Sequence, residues 1–208
     1  MKVNAAAFVI YVAMNVSPVL GQSLVDSARQ NGGSSGAVID VCGPLPSLAT
    51  VMSQSDLVVH GRVVDVKTRL DSDETRVITE YTIAPIQAFK DTRPASVATP
   101  GAVSKIKVRR TGGTFLTQDG LQLWTSVNIF PEAECFTVGE EVVAFLAYSS
   151  DTKAYYFASG GFGAYRVRDG MVTPMTSEVV SRRGDRPVEA SVFFRELLRL
   201  RSVVDTRN

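Results

Sequence analysis

The stretch DLVVHGRVVDVK, residues 56–67, decides how this chain folds. It is dense in valine, whose branched Cβ suits a pleated strand better than a helix, and polar residues interrupt it at short intervals. TRVITEYTIAPIQAF, residues 75–89, has the same character, and the LDSDE segment between them (70–74) is a polar turn. Two long strands joined by a short turn predict an antiparallel hairpin. Gly61 and Pro85 predict bends in it, because glycine admits a close backbone approach and proline withholds a ladder hydrogen bond.

Outward from the hairpin, SKIKVR (104–109) alternates, with Ile106 and Val108 facing one way and Lys105, Lys107 and Arg109 the other. Gly112-Gly113 then interrupts. EEVVAFLAY (140–148) is an apolar strand, and Tyr155–Ala158 and Gly163–Arg168 are shorter strands around the glycine cluster 160–163. Asp169-Gly170 is a hairpin turn before Met171-Val172. Long strands broken by Gly or Pro predict a small Greek-key barrel of the OB-like kind. Residues 187–204 change period: Phe193, Leu197, Leu200 and Val204 form a helical stripe while Arg195 and Arg199 point away. The expected fold is therefore mainly β, a small Greek-key (OB-like) barrel with a C-terminal α-helix packed on it. Gly43, Pro44 and Pro46 predict that 43–54 is extended or turning.

The 208 residues are 45% hydrophobic and 21% charged, which suits a globular chain and excludes a multi-span membrane protein. Twenty-two Lys plus Arg against 21 Asp plus Glu leave no global field to steer the chain toward nucleic acid. Lys2 precedes a short apolar stretch, Ala5–Val16 (AAAFVIYVAMNV). At about 1.5 Å of rise per residue, that stretch falls short of a hydrocarbon core of about 30 Å. Pro18 ends it, and Val19-Leu20-Gly21 supplies the residues a signal peptidase reads. Residues 1–21 are expected to be a cleaved signal, with no stable membrane insertion after cleavage and a secreted or periplasmic destination. The Gly/Ser run ending QNGGSSG marks 22–41 as a flexible linker. The barrel then takes 42–180 and the helical segment 181–208.

Cys42 and Cys135 are the only cysteines. In an exported protein an even pair is most simply a disulfide, and a loop of this length makes it worth about 4–5 kcal/mol. The competing reading is a cysteine nucleophile served by His60, which needs a free, electropositively placed thiol.

A family resemblance is carried by Val41-Cys42-Gly43-Pro44-Leu45-Pro46, followed by Ser55-Asp56-Leu57-Val58-Val59-His60-Gly61-Arg62-Val63. This pattern resembles the opening of netrin-like domains, the group that includes the tissue inhibitors of metalloproteinases. Val138–Leu146 and the glycine-rich Tyr155–Tyr165 stretch are similar to later strands of the same barrel, and secreted bacterial proteins carry a similar pattern. The resemblance spans about residues 42–175. It implies an OB-type barrel, a tie matching Cys42 with Cys135, and a partner-contacting segment made of Cys42, Gly43, Pro44, Leu45 and Pro46. In the inhibitors an N-terminal cysteine chelates the target's zinc through its amine and carbonyl. Here Gln22–Val41 still precedes Cys42, and Ser53 stands where the family has a further cysteine.

The remaining candidates are weighed residue by residue. His60 is a lone histidine with no second one to share a metal. Asp71, Asp73 and Glu74 match part of a calcium loop but lack its glycine and distal glutamate. Glu132, Glu134, Glu140 and Glu141 are neighbours in sequence without a defined separation. Gly160–Gly163 is followed by no Lys-Ser/Thr, so glycines at barrel corners are the simpler reading. Arg183-Gly184-Asp185 is an adhesion tripeptide short enough to arise by chance. Lys105, Lys107 and Arg109, with Phe115 and Trp124, have the residue types of a single-strand platform, but the neutral balance speaks for a solvated strand face. The sequence-level expectation is a secreted, non-enzymatic binding module, protein-directed or protease-inhibitor-like, with no cofactor, metal or catalytic residue. The other readings are a structural accessory domain and a hydrolase gathering His60 with a carboxylate and a hydroxyl.

Overall fold

The structure, a computed structural model, describes residues 12–13, 23–41, 46–93, 105–127, 136–175 and 186–205. Its centre is the expected hairpin. Strand β3 (Leu57–Leu70) pairs antiparallel with β4 (Val77–Asp91) from Leu57 opposite Asp91 to Leu70 opposite Val77. Register shifts at Val58/Val59, His60/Gly61 and Val63/Asp65 coil the pair, as bulges do where a sheet must close on itself. Gly61 permits the tightest of these bends: a Cβ there would stand 2.6 Å from Ile83 Cγ2 and 2.7 Å from the Ala84 carbonyl oxygen. Pro85 lies past Ile83–Ile106, the last pair between β4 and β5 (Ile106–Thr111), so its missing N–H breaks no rung of that ladder.

The pairings then run in a ring. From β4 the order of paired neighbours is β5, a parallel joint to β9 (Ala154–Phe157), an antiparallel joint to β8 (Glu141–Ser149), and back to β3. This is the five-stranded OB order. The β5–β9 joint spans only Val108/Tyr155 and Arg109/Tyr156, so the barrel is partly open at that seam. Val59, Val63, Tyr81, Ile83, Val108, Val142, Ala144, Leu146 and Phe157 fill the interior. The Phe136 ring meets Tyr81 edge-on at 5.6 Å.

Strands β3 and β8 are buried on both faces, which is why they read as unbroken apolar runs (Leu57-Val58-Val59; Val142–Leu146). Their outer side chains, Val58, Val143 and Phe145, meet α2 (Leu48–Ser53) and α3 (Ala190–Asp205) through Val51, Met52, Phe193, Leu197 and Leu200. Strands β10 (Ala164–Arg168) and β11 (Met171–Pro174) extend the sheet beyond β8, and β12 (Val188–Glu189) pairs with β11. Asp169 (φ 51°) and Gly170 (φ 74°) turn that hairpin with both central residues left-handed, as a type I′ turn requires.

Two sequence expectations are corrected. Residues 22–41 are no tether where they are described: α1 (Leu24–Gln30) and β2 (Ser34–Val41) are ordered elements. Ser23 caps α1, accepting a hydrogen bond from the Asp26 N–H, and Leu24 and Ala28 bury one helical face against Val77 and Leu123. Composition hides this because Gly and Ser serve equally in a linker and in a close-packed strand. Similarly, 43–54 was expected to be non-helical, yet Ser47 caps a short α2 and Lys90 donates from Nζ to the Met52 carbonyl at its other end. A short strand β1 (Val12–Ala13) pairs with Val41 and Asp40 of β2. Cys42, Gly43, Pro44, Leu45, Cys135 and Arg183–Asp185 lie outside the described residues.

Candidate binding groove

The glycine pair after β5 shapes one end of a concave surface among the described residues. Gly112 (φ 116°) and Gly113 (φ 130°) adopt backbone that L-residues avoid, and this turns the strand out of the barrel. Thr79 locks the turn by donating its hydroxyl to the Gly112 carbonyl at 2.5 Å, while Gly112 N–H bonds to Val77. The chain continues as β6 (Gly113–Leu116), now in a separate sheet of order β1-β2-β7-β6, where β7 is Gln122–Val127.

Alternation on β7 divides this small sheet into two faces. Leu123, Thr125 and Val127 point inward and are buried, and Thr125 Oγ1 accepts the Val77 N–H at 2.8 Å. Gln122, Trp124 and Ser126 occupy the other face. Trp124 stands directly opposite Thr114 of β6 and Gly36 of β2. The absent side chain at Gly36 is what lets the indole lie across β2: a Cβ there would sit 2.0 Å from Trp124 Cε2. Ser34, Gln122, Thr114, Ser126 and the Trp124 ring, with Arg110 and Gly113 at one end, line a groove of about 360 Å³. Among the described residues that line it there is no carboxylate. Arg110, next to last in β5, is buried at 9% exposure and sets a cation in the groove wall.

The sequence-derived candidates sit elsewhere. His60 does meet a carboxylate, with Nε2 3.2 Å from Glu141 Oε2, and Arg62 Nη2 donates to Glu141 Oε1 at 2.6 Å. The Arg62 guanidinium first, and His60 second, hold the Glu141 carboxyl below the usual carboxylate range. Phe194 of α3 covers the imidazole at 5.0 Å between ring centres, and no described hydroxyl hydrogen-bonds to it. Glu140 takes the Thr137 N–H and pairs with Arg166 at 2.9 Å. Asp71 is absorbed in its turn by the Thr75 and Arg76 N–H groups, and no three metal-ligating side chains cluster among the described residues. The basic strand face is partly compensated: Arg109 bonds to Glu80 at 3.0 Å and Lys107 lies 4.0 Å from the same carboxylate. Phe115 packs with the apolar side of the small sheet, away from Trp124. Of the proposed partner segment only Pro46 is described, and it is buried.

Ser55 and Asp56, which open the Ser-Asp-Leu-Val motif, are structural. Ser55 Oγ donates to the Val51 carbonyl, and Asp56 Oδ2 accepts the Tyr148 N–H at 2.8 Å, tying the start of β3 to α2 and β8. Sequence reading missed the groove residues Ser34, Gly36, Thr114, Gln122 and Ser126. The period-two pattern of QLWTSV, polar and aromatic against apolar, was the signal that pointed to them. No family model matches the chain, and no curated protein is similar to it.

Proposed function

We propose that this protein is an exported, non-enzymatic binding module on a netrin-type barrel, and that its ligand enters the groove on the β2–β7–β6 sheet. The observation that carries this reading is Trp124, laid over Gly36 in the open face of a sheet whose opposite face is buried. Binding sites combine such an aromatic platform with a few fixed polar groups, and volumes of about 300–1,000 Å³ are usual for them. The non-enzymatic reading is supported at His60, where Glu141 is shared with Arg62 and Phe194 closes over the ring. The protease-inhibitor variant draws no support from Pro46, whose burial removes it from a contact ridge.

The test is two-dimensional amide NMR of the full exported chain, titrated with three probe sets: short peptides, mononucleotides and oligosaccharides. The reading expects at least one set to shift the amides of Gly36, Thr114, Gln122 and Ser126 together. Shifts confined to residues outside β2, β6 and β7 would place the ligand elsewhere and overturn it.

A further inference from the structure

We infer that the groove is a glycan site, with one sugar ring stacked on Trp124 and its hydroxyls exchanging hydrogen bonds with Thr114, Gln122 and Ser126. The inference rests on the binding reading above and names its ligand class. A pyranose offers an apolar C–H face and an equatorial rim of hydroxyls. Trp124 meets the first need, since its ring is only partly buried and has Gly36 beneath it. Thr114 and Ser126 each supply a hydroxyl that both donates and accepts, and Gln122 adds an amide with both functions. Such dual-function groups match sugar hydroxyls, which also donate and accept.

The competing classes fit less well. Stacking a nucleic acid base brings a phosphate with it, and single-strand sites meet those phosphates with a positively charged groove. Here the described lining holds one cation, Arg110, and it is buried in the wall. An extended peptide is captured along a free strand edge. Trp124 instead sits in the middle of a sheet face, with β2 on one side and β6 on the other. A cationic or amine ligand needs a carboxylate, and none is among the described residues lining the groove. At about 360 Å³ the groove is at the small end for ligand sites, so a short glycan segment occupies it.

The experiment titrates the full chain with cellotetraose, chitotetraose and tetragalacturonate, read by Trp emission, calorimetry and amide NMR, beside the peptide and nucleotide probes. The inference expects at least one glycan to shift the Gly36, Thr114, Gln122 and Ser126 amides and to change the emission of the chain's one tryptophan. Trp124→Ala should weaken that glycan at least tenfold. Gln122→Ala, at an exposed position whose loss leaves packing intact, should weaken it by about threefold to tenfold. If peptides or nucleotides move the groove amides and no glycan does, the glycan inference fails while the binding reading stands. If no probe moves them, both fail. Glycan binding that Trp124→Ala and Gln122→Ala leave unchanged also overturns the inference, because it places the sugar off this face.

Discussion

Replacing Gly36 with alanine drives a methyl group into the Trp124 ring. The added Cβ would stand 2.0 Å from Cε2, 2.1 Å from Cδ2 and 2.6 Å from Cζ2. Non-bonded carbons settle at about 3.5 Å, so one partner must move by about 1.5 Å. Strand β2 cannot give way easily, because it is paired to β7 from Ser34 through Ile39. The indole therefore leaves its place over Gly36. Overpacking of this kind costs about 1–3 kcal/mol. At this chain length about 2 kcal/mol lowers Tm by about 4–8 °C. Calorimetry or thermal circular dichroism reads that loss, and emission of the sole tryptophan should move to longer wavelength as the ring becomes more exposed. A double-mutant cycle isolates the contact: in a Trp124→Ala background Gly36→Ala should cost less than about 0.5 kcal/mol. Equal costs in both backgrounds, or an unchanged Tm and emission in the single variant, would refute the packing argument.

Leu197 is fully buried between α3 and the β3–β8 face, so Leu197→Ala should cost about 2–5 kcal/mol in chemical denaturation; a loss below about 1 kcal/mol would mean that α3 docks differently. The Glu141 carboxyl is held below its ordinary value of 4.5, so its contribution to stability is present above that pH and is lost as pH falls through the lower folded value. Glu141→Gln should therefore be less stable than the parent at neutral pH and lose less further stability than the parent as pH falls below the ordinary carboxylate value of 4.5; parallel profiles would exclude the Arg62–Glu141–His60 cluster as an acid-sensitive element. Cys42→Ser should destabilise the oxidised protein by about 4 kcal/mol, and intact mass of the exported chain should begin at Gln22 with no thiol alkylated before reduction. Equal denaturation midpoints would show that Cys42 and Cys135 do not staple the fold.

The strand content was legible because its signals are local. Valine density and period-two alternation mark β3, β4, β5 and β8, and the helical stripe marks α3, whichever partner each element finds. Asp169-Gly170 was readable for the same reason, since left-handed backbone at both turn positions is a property of those two residues. α1 and β2 were not legible, because QNGGSSG has linker composition and only pairing with Gln122, Leu123 and Trp124 of β7 gives its small residues a structural role. The groove depends on still longer range. Gly36 and Trp124 lie far apart in sequence, and each is unremarkable alone; their parallel register makes one the seat of the other. Likewise, period-two reading places Lys105, Lys107 and Arg109 on one strand face, but only the β4–β5 register brings Glu80 against Arg109 and offsets its charge. Sequence alone determined the long strands β3, β4, β5 and β8 and the C-terminal helix, because propensity and periodicity act within a few residues. Tertiary structure decided which side chains form a site, because that choice follows from cross-strand register and from the turn at Gly112-Gly113 that carries the chain from one sheet to the other.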